Sequence, residues 1–378
     1  MLDALRDFAG WTPLGLPALL FVITLVVFFH ELGHFLVARA FGVKVDVFSI
    51  GFGREIVGFT DKRGTRWKVS WLPIGGYVKF AGDANAASAP DAKAVAQMAP
   101  ADRAVTLAGQ PVLQRALVAA AGPFANFLLA IVLLTGLFLY AGHVTVPPVI
   151  GTVAKDSPAA GAGIRPGDRI TAIDGSPITD YLQLPQIISM SGGEDLAITL
   201  NRQGRALTVH AVPHLVRQRD QFGDMSSTFV IGVTQMTSEK PVVEYYGPVG
   251  AFGAACAKTW EIIATTLTGI GKMVIGHASA DQIRGTIGMG QVAKKVAEIG
   301  FVPLLSLVAI LSVSIGLINL FPIPLLDGGH LLYYGCEAVL GRPLGERAQE
   351  LGFRFGVVLV VGLVLVSAVH DLARLNLF

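Results

Sequence analysis

The stretch "VVFFHELGHFLVARAFG", residues 26–42, decides how the chain is read. It closes a long apolar run, yet it holds two histidines, a glutamate and an arginine. A charged side chain at the centre of a bilayer costs ~2.5–3.5 kcal/mol on insertion scales, so ionisable groups inside a span mark function by default. On a helix, His30 and His34 lie four residues apart and project from one face, one turn from each other. Two imidazoles at that spacing can share one Zn²⁺. Glu31 sits beside them, placed to move protons rather than to bind metal, which is the H-E-x-x-H pattern.

Composition agrees with a membrane setting. The 378 residues are 52% hydrophobic and only 15% charged, with a mean hydropathy of +0.59, whereas ordinary globular domains are about a quarter charged. The net charge of +2 and the lack of a basic stripe argue against a nucleic-acid partner. Cys256 and Cys336 form no C-x-x-C pair and no disulfide framework. Four segments are expected to cross the bilayer, about 13–41, 113–140, 303–321 and 355–369, since a spanning helix needs ~20 mostly apolar residues. Residues 249–276 contain Lys258, Glu261 and Lys272 and read as an amphipathic helix on the membrane surface, with a fifth span as the alternative. Asp3, Arg6 and Asp7 make a poor signal-peptide n-region, so the first span is expected to stay uncleaved. Residues 42–112 hold nine lysines and arginines, and 322–354 add Arg342, Arg347 and Arg354. The positive-inside rule puts both connections in the cytoplasm, and both termini and 142–302 on the other side.

A catalytic zinc takes three protein ligands and keeps one position open. "INLFPIPLLDGGHLL", residues 318–332, offers the third. Pro322 and Pro324 break the helix before Asp327, and irregular backbone at membrane depth is tolerated only where protein or water satisfies it. Asp327 is therefore the expected ligand, with His330 as the alternative. Residues 45–80 read as a β-hairpin turning at "TDKRGT". From 143 to 214, short alternating runs between Gly, Pro and Asp turns read as a small β-rich domain with one short helix. Its Ser157–Pro158–Ala159–Ala160, Gly163–Ile164–Arg165–Pro166–Gly167–Asp168 and Ile173–Asp174–Gly175 resemble a PDZ domain, a module that captures extended peptides by strand addition.

With "LPIGGYVKFAGD" (72–83), "AGPFANF" (121–127) and "NLFPIPLLDGGH" (319–330), the H-E-x-x-H stretch resembles the site-2 protease family of intramembrane zinc metalloproteases, in its bacterial regulator-of-sigma-E branch. One PDZ-like insert is found here where the best-known member has two. The implied fold class is a polytopic α-helical membrane protein of four transmembrane helices, with a membrane-associated β-hairpin and an inserted β-rich PDZ-like domain. The chain divides into an N-terminal membrane core (1–142), the PDZ-like domain (143–214), a linker with the amphipathic helix (215–302) and a C-terminal membrane core (303–378).

The resemblance implies Zn²⁺ on His30, His34 and Asp327, with Glu31 as general base. It also maps a functional asparagine onto Asn319, which would either stabilise the oxyanion or tie down the helix end. It places the hairpin beside the metal, where the edge at Gly75, Gly76 and Tyr77 would take an unwound substrate strand. The implied substrates are single-span membrane proteins already trimmed by another protease, such as anti-sigma factors, in the bacterial inner membrane. Two other classes fit less well. A metal transporter would line a path across the bilayer and has no need of Glu31, and a PDZ-bearing scaffold leaves the three intramembrane ligands unexplained.

Overall fold

A computed structural model describes residues 2–83, 97–219, 225–276 and 285–374. Among them the long helices are α1 (Leu2–Ala40), α2 (Val112–Ala141), α3 (Pro248–Val274), α4 (Thr286–Ile299), α5 (Phe301–Asn319), α6 (Asp327–Leu340) and α7 (Glu346–Arg374). Four are long and apolar enough to cross a membrane, over Leu14–Ala40, Val112–Ala141, Phe301–Asn319 and Arg347–Asp371. These match the four expected spans. Val22 and Val26 of α1, Leu129 of α2 and Leu304, Leu307 and Val308 of α5 pack into one cluster.

The segment read as a linker contributes to that core. Ala293 of α4 joins the same cluster, and Gly288 and Gly290 are buried beside it. The glycines of "TIGMG" lower helix propensity and hid this helix from the sequence reading. α4 has glycine, with no side chain to cap it, at its N-cap. Its first N–H groups are met instead by Asp371 of α7, which accepts from Gly285 at 3.0 Å and Ile287 at 2.9 Å. α3, expected on the membrane surface, packs Ala251 and Ala255 against Ala130 and Leu134 of α2 and Ala309 and Val313 of α5. Small residues there let the helices approach closely. α3 is not among the helices apolar enough to span.

Strands β1 (Val45–Thr60) and β2 (Arg66–Phe80) do not form the simple hairpin expected. Val47 pairs with both Lys79 and Arg66, and Ser49 with both Tyr77 and Lys68, while 55–60 pairs with 66–70 on the far side. The two long strands therefore build four lanes in the order 76–80, 45–50, 66–70, 55–60. Gly51 (φ 84°) and Gly75 (φ 101°) make the bends, which need backbone angles that other residues rarely adopt. The sheet is fastened to the end of α1. Phe48 is buried against Phe35 and stacks on Trp67, with ring centroids 4.3 Å apart, and Arg39 donates to Asp61 at 2.6 Å. Lane 76–80 is the edge nearest α1, and the opposite end exposes Ile56, Val57, Phe59, Trp71 and Leu72.

Beyond α2, the β-rich unit closes around Ile150, Ile170, Ile173, Leu184, Ile198, Leu200 and Ile231. It runs past residue 214, where the sequence reading ended it. Val233–Gln235 pairs with Ile150–Val153, and Val242–Glu244 pairs with His143–Thr145. Its short helix Gln183–Ser189 meets α3, where Gln183 Nε2 donates to Glu261 at 3.1 Å. Asp168 is buried and accepts two hydrogen bonds from Arg202 at 2.7 Å and one from the Arg165 N–H at 2.8 Å. Burial raises its pKa, but these hydrogen bonds outweigh that and hold it below the ordinary carboxylate value. A depressed folded pKa stabilises fully above the unfolded value of ~3.9 and is lost as pH falls through the folded one. Asp168→Asn should therefore lower the thermal midpoint of this unit by several degrees at neutral pH. The gap to the wild type should close as pH drops below about 4, read by thermal melts across pH.

Candidate metal centre

The site is built where the C-terminal third of α1, the first half of α2 and the start of α6 meet. His30 and His34 are buried on one face of α1, with ring centroids 4.9 Å apart. α5 ends at Asn319, and the chain turns through Pro322 and Pro324 with Leu325 at a positive φ of 106°. Asp327 then opens α6, where a carboxylate suits the positive end of the helix dipole. Its Oδ2 lies 3.1 Å from His30 Nε2, and its Oδ1 3.4 Å from His34 Nε2. The two Nε2 atoms are 3.3 Å apart.

Those three separations are a test of fit. Ligands ~2.0–2.1 Å from one tetrahedral ion stand roughly 3.3 Å from each other. Among the described residues, His30, His34 and Asp327 are the group whose donor atoms converge. Asp327 Oδ2 is buried without a hydrogen bond, as expected of an atom kept for a cation. The ligating face is also set by tautomer. His34 Nδ1 stands 2.7 Å from the Val118 carbonyl, which can only accept, so Nδ1 carries the proton and Nε2 presents its lone pair. His30 Nδ1 faces the fully buried Asn126 amide, 3.3 Å from its Nδ2, while Asn126 Oδ1 is left without a partner. Exchanging the amide's O and N, an assignment made from the network, lets Oδ1 accept from Nδ1 and orients His30 in the same way. Such outer partners fix both ring orientation and basicity.

A cavity of about 220 Å³ opens beside these atoms, lined also by Glu31, Asn319, His330, Gly76 and Tyr77. Glu31 accepts a hydrogen bond from the Val78 N–H, which ties it to lane 76–80. Gly75 lies one residue outside the lining, packed on the Phe52 ring. His330 is one turn into α6 rather than at its start, and it is outside the converging group. Tyr334 is also on the cavity wall. Val118, Asn126 and Tyr334 were missed in the sequence. A lone amide inside the apolar "AGPFANF" was the available signal for Asn126.

The model of peptidase family M50 matches residues 18–363. The chain belongs to peptidase family M50. M50 is the site-2 protease family that the sequence motifs resembled, and its members are zinc metalloproteases. A protein of Agrobacterium fabrum named "Putative zinc metalloprotease" is 43% identical over 355 residues, 94% of each chain. The metalloprotease MmpA of Caulobacter vibrioides is 37% identical, covering 96% of each chain. Among solved structures, the PDZ domain of an SdrC-like protein of Listeria monocytogenes is 23% identical. That match covers 24% of this chain and 87% of that one, with a TM-score of 0.20. For this M50 protein, zinc content measured in detergent should be about one per chain. His30→Ala, His34→Ala and Asp327→Ala should each lose most of it, and His330→Ala should keep it. A His330→Ala protein without zinc beside a loaded Asp327→Ala protein would reverse the assignment of the third ligand.

Proposed function

We propose that this metalloprotease cuts peptide bonds inside the membrane-embedded segments of single-span proteins, with His30, His34 and Asp327 holding the zinc. The convergence of these three donors beside Glu31, in a cavity set into apolar helices, carries the reading. Zinc bound there supplies a Lewis acid and lowers the pKa of water to ~7. Glu31 takes the proton of the attacking water and returns it to the leaving amide nitrogen. Asn319, on the cavity wall, donates a hydrogen bond to the oxygen that gains charge.

A helical substrate hides its carbonyls in its own hydrogen bonds, so it has to be unwound, and the freed groups need partners in the membrane. Lane 76–80 with Gly76 and Tyr77 is an edge beside Glu31 that can accept such a strand by pairing. Gly75 sets the bend that presents it. Val118 and Ala141, the ends of the intervening part of α2, are separated by about 35 Å at 1.5 Å per residue. The β-rich unit therefore acts on which proteins reach the site, and not on the bond. In this reading the protein lies in the bacterial inner membrane, with the site toward the cytoplasm and the PDZ-like unit and both termini outside. Its substrates are proteins such as anti-sigma factors, trimmed beforehand by another protease.

Glu31→Gln keeps the shape but cannot take up the proton. Cleavage of a membrane-embedded peptide should fall by a factor on the order of 10² or more while zinc stays bound. Undiminished cleavage by the Glu31→Gln protein would remove Glu31 from this role.

A further inference from the structure

Arg115 stands in the first turn of α2. It donates to both carboxylate oxygens of Glu337 on α6, at 3.0 and 2.7 Å, and its Nε donates to the Gln110 carbonyl at 3.0 Å. Both side chains are about 15% exposed, at 15% and 14%. The guanidinium also lies over the Tyr334 ring, 5.0 Å from its centroid. The proposed chemistry uses none of these contacts.

We infer that the Arg115–Glu337 pair clamps α6 against α2 and thereby sets the position of Asp327, which makes Arg115 a positioning residue of the metal centre. Asp327, Tyr334 and Glu337 fall at i, i+7 and i+10 on α6, close to one face. Within α6 only Gly328 and Gly329, at its first turn, are fully buried, and the rest of the helix is half-buried or exposed, so apolar burial alone leaves its far end weakly fixed. A planar, two-pronged Arg–carboxylate contact fixes both distance and orientation, and it does so about two to three turns beyond Asp327 on the same rod. The α2 end of the clamp is aligned with the other ligands. Arg115, Val118, Gly122 and Asn126 follow one another at helical spacing on one face of α2. Val118 orients His34 and Asn126 meets His30, so one face of α2 holds all three ligands, two directly and the third through Glu337.

The inference rests on the metal-centre reading, and metal binding by the full chain in detergent tests the two separately. The readouts are the zinc dissociation constant against a chromophoric chelator and the visible spectrum of the Co²⁺-loaded protein. Arg115→Ala and Glu337→Gln should each raise the zinc constant by about tenfold or more, the range found for partners behind metal ligands. Each should also shift the Co²⁺ bands. Combining them should add little, since both remove one interaction. Arg115→Lys keeps the charge without the fork and should fall between. The exchanged pair, Arg115→Glu with Glu337→Arg, should recover part of the loss, which a general folding defect would not allow. Wild-type binding and spectrum in both single variants, or no recovery in the exchanged pair, would overturn the clamp. Failure of the unaltered protein to bind zinc would instead reject the metal-centre reading.

Discussion

The ring of His34 can stand beside that of His30 because α2 leaves a gap for it and a carbonyl to hold it. A Cβ on Gly122 would fall on the imidazole, and the Val118 carbonyl fixes the far nitrogen. α1 approaches the same stretch through Gly33, whose missing side chain is replaced by the backbone of Ala121. Without that close approach the two Nε2 atoms could not both face Asp327. In an apolar medium every buried polar atom needs a partner supplied by the protein. The packing of α1 on α2 supplies those partners to the histidines, and the rest of the membrane core is arranged around that contact.

Two further elements depend on it. The four-lane sheet is anchored to the last turn of α1 by Phe35, Phe48, Trp67 and the Arg39–Asp61 pair, which brings lane 76–80 alongside Glu31. On the opposite side, the turn through Pro322 and Pro324 delivers Asp327 at a helix start. α3 runs the connection in the other direction. It packs on α2 and α5 and meets the β-rich unit through Gln183 and Glu261, so a unit far from the site has a continuous mechanical link to α2, whose Val118 carbonyl and Asn126 face the two histidines.

The grouping of His30, Glu31, His34 and Asp327 around one cavity was legible in the residues, because they are costly groups in an apolar chain and so stand out. The spans were legible for the same reason, as long apolar runs. What orients the ligands was harder to see. A backbone carbonyl such as that of Val118 has no signature in the sequence, and Glu337 lies far along the chain from Arg115. The sheet misled because alternation reports a strand but not its partners, and the glycine bends at 51 and 75 change the pairing. α4 was hidden by its own glycines, and the extent of the β-rich unit by short strands that pair across some eighty residues.

The most direct measurement is X-ray absorption at the zinc edge on the full chain in detergent. Convergence of His30, His34 and Asp327 on one ion predicts about four nitrogen or oxygen neighbours at ~2.0–2.1 Å, with the outer-shell pattern of two imidazoles. A sulfur neighbour at ~2.3 Å, or a pattern of three imidazoles with His330 in place of Asp327, would contradict it.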